Sequence, residues 1–301
     1  MTSNAPHIPI MLNEILELLE IQPTDNVLDG TLGFGGHSAS FLEAVDSPSQ
    51  LFAIDQDPDA ISFSTERLGK DVNITRCNFS DFDTAFSPTP KFDKILLDLG
   101  FSSFQLDSSN RGFSHQGTEP LDMRINPDAD LSAAEILNTY SEQELSDIFF
   151  NWGELRQNKI LSKNIVQTRK ASLLATTDQL MELIKKSYSF NNNRSKFMKT
   201  SAQVFQALRM EVNSEFDHIT TFINKLADNT APKARIAILT FHSGEDRLVK
   251  HTFRDIKDTF KKINKHVITA TQDEIRNNSR SKPAKLRVYE KVDPTDRMKK
   301  K

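Results

Sequence analysis

Short apolar runs ending in an acid recur along the first hundred residues, separated by stretches whose apolar positions fall three and four apart. Val27-Leu28 before Asp29, Leu51-Phe52-Ala53-Ile54 before Asp55, residues 72–77 and Lys94-Ile95-Leu96-Leu97 before Asp98 read as strands. Residues 13–19, 38–44 and 59–68 read as the helices between them, and Pro58 suits the first turn of the third. Strands alternating with helices predict a parallel, doubly wound α/β sheet.

From about 105 to 199 the strand pattern stops. Residues 133–138, 142–150, 159–169 and 177–188 have helical spacing. Ser132 and Ser141 are N-cap candidates, the second with Glu144 in a capping-box position. Residues 190–196 form a polar loop near the end of this block, which predicts a helical subdomain over 105–199 inserted into a discontinuous domain, 1–104 and 200–301. The alternation then resumes. Residues 201–226 read as one long helix with Val204, Leu208, Val212 and Ile219 on one side. Residues 234–241 are a buried strand, and 267–270 and 285–290 form edge strands around a basic segment.

At 301 residues and 37% hydrophobic content the chain is long enough to bury a core. Cys77 stands alone, which excludes a disulfide framework or Cys-based zinc cluster, and seven scattered histidines show no ligand spacing, so no metal is expected. No apolar run approaches the roughly 18 residues of a membrane span, and the first residues lack a signal-peptide pattern, so a cytoplasmic protein is expected. The net charge of −3 hides an asymmetry: residues 243–301 hold 17 Lys and Arg against 9 Asp and Glu, and the rest of the chain 21 against 32. A basic segment on an acidic body points to a polyanion contact, or to a solvated tail for the last few residues.

The turn Asp29-Gly30-Thr31-Leu32-Gly33-Phe34-Gly35-Gly36-His37 is where this organisation becomes chemistry. Glycines after a strand let backbone approach a ligand, and the amides opening the next helix face it. The loop has no Lys-Ser/Thr after its glycines, against a Walker-type cradle. Asp55 follows Asp29 by 26 residues, near the spacing of about 20 from glycine loop to ribose-binding acid. Together they point to an adenosine-bearing cofactor.

Several longer motifs carry a family resemblance. They include His7-Ile8-Pro9-Ile10, residues 31–38, Asp98-Leu99-Gly100-Phe101-Ser102-Ser103 with Gln105-Leu106-Asp107, Arg111-Gly112-Phe113-Ser114 and Pro120-Leu121-Asp122-Met123-Arg124. Phe205-Gln206-Ala207-Leu208-Arg209, Val212-Asn213, Phe241-His242-Ser243, Glu245-Asp246-Arg247 and Ala284-Lys285-Leu286-Arg287 continue the series. In this order they resemble the RsmH/MraW family, bacterial 16S ribosomal RNA cytosine-N4 methyltransferases that use S-adenosylmethionine. The chain departs from the family pattern at Gly244, where Leu is usual, at Trp152, where Tyr is usual, and at Ser279, Lys282 and Pro283.

The resemblance implies a class I, Rossmann-like S-adenosylmethionine-dependent methyltransferase acting on the small ribosomal subunit, with 16S rRNA as partner and no membrane; a homodimer stays open. It implies cofactor contacts at Gly35, Gly36, His37, Asp55, Phe79, Asp98 and Gln105. The types fit: a carboxylate at Asp55 suits two ribose hydroxyls, and Phe79 suits an adenine face. Asp98 is the candidate for chemistry, since cytosine N4 has its lone pair delocalised into the ring and needs an acceptor to hold the amine; a loop-capping acid is the alternative. Arg111, Asp122 and Arg124 are candidates for the cytidine pocket or a phosphate, although Asp122 and Arg124 equally suit a mutual pair. Arg247, Lys250, Arg254, Arg280, Lys282, Lys285 and Arg287 are candidates for phosphate contacts. An NAD-linked dehydrogenase is disfavoured by Thr31 where its fingerprint needs glycine. A non-catalytic RNA-binding assembly factor on the same fold is the remaining alternative.

Overall fold

The structure is a computed structural model that describes residues 9–100, 110–115, 117–293 and 295. His7, Ile8, residues 101–107 with Gln105, and the basic end at 297–301 lie outside the described residues. Two units emerge: Met1–Gly100 with Phe216–Lys301, and Phe101–Glu215.

In the first unit, β1 (Val27–Asp29), β2 (Leu51–Asp55), β3 (Asn73–Arg76), β4 (Phe92–Asp98) and β5 (Thr230–Thr240) are parallel neighbours. β6 (Phe260–Lys262), β7 (Ile268–Thr269) and β8 (Lys285–Lys291) complete the sheet, in the order β3-β2-β1-β4-β5-β8-β6 with β7 also on β8. The expected doubly wound parallel half is therefore present, because its strands are apolar on both faces. Val27, Leu51, Ala53, Leu96, Ala237 and Leu239 pack on one side with Ile15 and Leu19 of α1 (Leu12–Leu19) and Phe41 of α2 (Gly36–Ala44). The alternate residues Leu28, Phe52, Ile54, Ile95, Leu97, Ile236 and Ile238 pack on the other, where later helices supply Phe222, Leu226 and Phe253. Each strand feeds two cores at period two. α3 (Pro58–Leu68) opens with Pro58 after an Asp57 cap that accepts from the Asp59 amide.

The C-terminal strands differ from expectation. β8 is no edge: it runs antiparallel between β5 on one side and β6 and β7 on the other. Leu286, Val288 and Tyr289 are buried on both of its faces, which explains its apolar character.

The second unit is helical among its described residues: α4 (Ala133–Thr139), α5 (Glu142–Asn151), α6 (Asn158–Arg169), α7 (Thr177–Ser187) and α8 (Arg194–Val212). Ser132 with Glu135 and Ser141 with Glu144 form reciprocal capping boxes. Ile136, Phe149, Leu161, Leu180, Val204, Phe205 and Leu208 lie in one core, so α8 belongs here and the unit runs past residue 199, to Glu215.

The expected single helix over 201–226 is two. α8 stops at Val212, and α9 (Glu215–Asn229) starts after Ser214, whose φ of 47° is left-handed. The cause is Asn213. Its amide donates to the carbonyls of Met123 and Arg209, both at 2.8 Å, and accepts from the Ile125 amide at 2.9 Å. Across the break Arg209 meets Glu215 through two bonds of 2.7 and 2.9 Å. Ile219 accordingly joins Phe222 and Ile223 in the core of the first unit, not the α8 face. Asn213→Ala leaves the Ile125 amide and Met123 carbonyl without this partner, and is expected to lower stability by about 2 kcal/mol in urea unfolding.

Candidate active site

Strand order reverses between β1 and β4, the switch point at which doubly wound sheets bind ligands beyond the carboxyl ends of their strands. β1, β2 and β4 each end there in an acid, and each acid sits in a different environment.

Asp29 is 1% exposed and accepts from Ser38 Oγ at 2.6 Å and the Thr31 amide at 3.1 Å. Burial raises its carboxyl above the usual range. Asp55 accepts from the Gly33 amide at 2.8 Å and the Asp57 amide at 2.9 Å, so it holds the glycine loop in place. Burial pushes it up to about 6. Asp98 keeps 21% of its side chain exposed, against 1% for Asp29. Its amide donates to Thr31 Oγ1 at 2.7 Å, and its Oδ1 accepts from Gly100 at 2.9 Å. Thr31, which disfavoured a dinucleotide fingerprint, thus ties the β1 loop to the end of β4.

Gly35 caps α2 with φ of 70°, a left-handed value that favours glycine. The first-turn amides of α2, including those of Gly36 and His37, have no acceptor within the helix. The His37 side chain is buried: Nε2 lies 3.1 Å from the Ile10 carbonyl and Nδ1 3.9 Å from Asp98 Oδ2. Burial lowers its pKa. Phe79, on the turn Phe79–Asp81, packs its ring edge-on to Phe222 with centroids 5.8 Å apart. At Gly100 an added Cβ would lie 2.6 Å from the Phe241 ring, so this close approach requires glycine.

The structure thus places Gly35, Gly36, His37, Asp55, Phe79 and Asp98 in the same unit, at or just beyond the carboxyl ends of its strands. Gln105 lies outside the described residues.

The candidates for RNA divide differently. Arg111 donates to the carbonyls of Arg124 at 3.2 Å and Ile125 at 2.9 Å. Asp122 and Arg124 make a bidentate pair, 2.9 and 2.8 Å, and Arg124 also donates to the Ala129 carbonyl. Burial alone would raise the Asp122 carboxyl, but the Arg124 bonds outweigh it and hold it below the usual range. Of the two readings left open, the mutual pair is the one observed. These three residues order their own loop.

Arg247 is exposed on α10 (Ser243–Asp255), and Arg280 is partly buried in the turn Ser279–Ser281. Lys285 lies 3.6 Å from Asp246. Arg287 requires correction as a phosphate ligand: it is 7% exposed and grips Asp246 through bonds of 2.7 and 3.1 Å. Spacing alone does not show that β8 is interior and turns this basic side chain inward.

Sequence reasoning missed the residues that support the acids: Thr31, Ser38 and the His242–Glu245 box. Glu245, 1% exposed, accepts from the Phe241 amide at 2.7 Å, and its own amide donates to His242 Nδ1 at 3.3 Å. The polar-x-x-Glu spacing of His242 to Glu245 was the available signal. At Gly244 an added Cβ would lie 2.9 Å from Phe216 Cζ, so the ring fills the space that a side chain there would need.

With this geometry in view, the MraW methylase family matches residues 4–292. The chain belongs to the MraW methylase family. Relatives agree along its length. "Ribosomal RNA small subunit methyltransferase H" of Fusobacterium nucleatum is 39% identical, covering 96% of this chain and 98% of the relative. The protein of the same name from a Nostoc species is 41% identical over 95% of this chain and 92% of its own. That of Dictyoglomus turgidum is 38% identical over 95% and 97%. No helix of this methylase among the described residues is long and apolar enough to cross a membrane.

The Asp246–Arg287 contact gives a test of the corrected role. Arg287→Met, which removes two bonds from the half-buried Asp246 carboxylate, is expected to cost about 2 kcal/mol in chemical denaturation, and adding Asp246→Leu to restore most of it.

Proposed function

We propose that this methylase transfers a methyl group from S-adenosylmethionine to N4 of a cytidine in small-subunit (16S) ribosomal RNA. The observation that carries the reading is Asp98. It ends β4 at the switch point, keeps 21% of its side chain exposed and has its carboxylate fixed by the Gly100 amide. The names of the relatives support ribosomal RNA as the substrate, and cytosine N4 is what the family resemblance implies.

The residues fit the cofactor. The α2 first turn offers the backbone amides of Gly36 and His37 to a carboxylate. The Asp55 oxygens each hold one backbone amide, and a carboxylate oxygen has a second lone pair for a ribose hydroxyl. Phe79 offers a partly buried ring for adenine. When bound, the cofactor supplies an electrophilic methyl on a sulfonium.

The protein's contribution is then positioning. Asp98 accepts a hydrogen bond from the exocyclic amine, which opposes delocalisation of the N4 lone pair and fixes its direction. The Gly100 amide keeps that carboxylate from turning away, and Thr31 Oγ1 fixes the Asp98 backbone behind it. The base must leave any stack to reach this edge, so a single-stranded or flipped cytidine is the substrate form. Arg247, Arg280 and Lys285 are retained as the phosphate contacts of this reading, and the helical unit as its substrate-recognition subdomain.

Methyl-labelled cofactor with unmodified small subunits, followed by nucleoside mass spectrometry, tests the reading. Label in N4-methylcytidine is expected, falling at least about 100-fold with Asp98→Ala, and a cofactor-binding assay on the same variant separates loss of grip from loss of chemistry. Cofactor binding with no label would favour the assembly-factor alternative, and label in another nucleoside would overturn the cytosine assignment.

Asp55 gives a second test. With its carboxyl raised to about 6, the ionised acceptor is present above that pH and lost below it. The cofactor Kd is expected to weaken roughly tenfold from pH 7 to pH 5, and Asp55→Asn to flatten the dependence in calorimetry.

A further inference from the structure

The charge of the helical unit is sorted along its sequence. Residues 117–154 hold nine Asp and Glu against one Arg, and residues 155–200 hold ten Lys and Arg against two acids. The helices divide in the same way. α4, α5 and α7 open with acids in the first turn: Glu135, Glu142 with Glu144, and Asp178. α6 and α8 have none there. Instead Lys159 lies in the first turn of α6, and Arg194 and Lys196 in that of α8. A cation at a helix N-terminus opposes the dipole, and Lys159 with Lys163 sets like charges at i and i+4. These placements work against the helices that carry them, so helix stability does not account for them.

The fold gathers these residues. Tyr188 Oη, just after α7, donates to the Gln157 carbonyl at the start of α6, 3.2 Å away. Asn164 of α6 donates to Ser187 Oγ, the last residue of α7, at 2.9 Å. The rings leading into α8 are stepped edge to face, Tyr188 to Phe190 with centroids 6.0 Å apart and Phe190 to Phe197 at 5.1 Å. The start of α6, the end of α7 and the start of α8 therefore share one end of the unit. Arg156, Lys159, Lys163, Lys185, Arg194 and Lys196 are all exposed there. Among the described residues none of these six has an acid within ion-pair distance, whereas the neighbouring Lys186 has Glu182 at 3.2 Å.

We propose that this end of the helical unit is a docking surface for single-stranded RNA, its cations meeting phosphates and the partly exposed rings of Tyr188 and Phe190 lying beside the bases. The identity of the polyanion rests on the methyltransferase reading. The surface goes beyond that reading by naming which helices of the inserted unit touch RNA. A solvated surface intersperses both signs of charge, and a patch of one sign is the footprint of a phosphate backbone. Cations beside aromatic rings are the chemistry of single-strand binding, in which the rings take bases whatever their identity.

The test uses the full-length protein with fluorescent single-stranded oligocytidylate, and with unmodified small subunits as methyl acceptor. The triple variant Lys159→Gln, Lys185→Gln, Arg194→Gln removes one exposed cation from each helix. It is expected to weaken oligocytidylate binding at least about tenfold, and to flatten the slope of log Kd against log salt by about 2, at about 0.7 per phosphate contact. With small subunits KM should rise at least about tenfold while kcat stays within about threefold, the mark of lost substrate binding. Gln157→Lys, which adds a cation at the start of α6, should tighten oligocytidylate binding about twofold or more and steepen the slope. Unchanged Kd and slope in a triple variant that keeps its affinity for S-adenosylmethionine overturn the proposal. If the triple variant loses that affinity, Gln157→Lys decides, and no gain there overturns it. Loss of binding to phosphatidylglycerol vesicles with no change for RNA would make the surface a membrane contact and also overturns it. Failure of the unaltered protein to methylate small subunits would count against the methyltransferase reading, and the oligocytidylate titration would still decide this surface.

Discussion

The bond from the Asp98 amide to Thr31 Oγ1 is the constraint on which the site depends. Parallel strands leave their carboxyl ends open wherever the winding reverses, and nothing in the sheet ladder fixes the loops that follow β1 and β4 relative to each other. A 2.7 Å bond from the last residue of β4 to a side chain in the β1 loop supplies that connection. The loop is then fixed again from the other side, where Asp55 at the end of β2 accepts the Gly33 amide. Three adjacent strand ends are thereby joined through one glycine-rich turn, and the α2 amides, Asp55 and Asp98 take up defined positions before any ligand arrives. Such preorganisation matters most where catalysis is mainly positioning.

Burial divides the work among the three acids. Asp29 is enclosed and occupied by a hydroxyl and an amide, so it fixes backbone and has no oxygen facing outward. Asp55 is enclosed with two amides, close to the balance between charged and neutral forms, which suits a group that exchanges water for ribose hydroxyls. Asp98 keeps contact with solvent, and its Oδ1 accepts from the Gly100 amide. Under the proposed function, the same residue type at three equivalent strand ends serves as brace, cofactor acceptor and substrate acceptor, because desolvation and hydrogen bonding differ at each.

The alternation of two-faced apolar runs with helical spacing made the doubly wound half legible, since both cores are fed at period two by residues such as Leu96 and Leu97. The candidate acids were legible for the same reason: each ends a run. What stayed hidden depends on contacts far apart in sequence. The break after Val212 comes from Asn213 reaching back to Met123 and Ile125, some 90 residues away, and helical periodicity carries no trace of it. The interior position of β8 depends on β6, three residues long, which is too short to register as a strand. Asp122 and Arg124, two apart in sequence, were legible as a pair or as ligands, and only the bidentate geometry decides.

Basic residues show why charge counts overstate a polyanion surface. The segment from 243 carries an excess of Lys and Arg, yet Arg287 is consumed by Asp246, and Lys261 by Glu290 at 2.7 Å. Both of those acids also hold a second cation, Lys285 and Arg235 respectively. Much of the excess is therefore internal structure around β8. On α10, by contrast, Arg247, Lys250 and Arg254, spaced three and four apart, share one exposed face. That helix begins immediately after β5, the strand paired with β4. Its Phe241-His242 approach packs a ring over Gly100, two residues beyond Asp98. The sheet thus puts this basic helix and Asp98 on neighbouring strand ends. Under the proposed function, phosphate contacts made there would fix the register of an RNA strand, and the target base would meet Asp98.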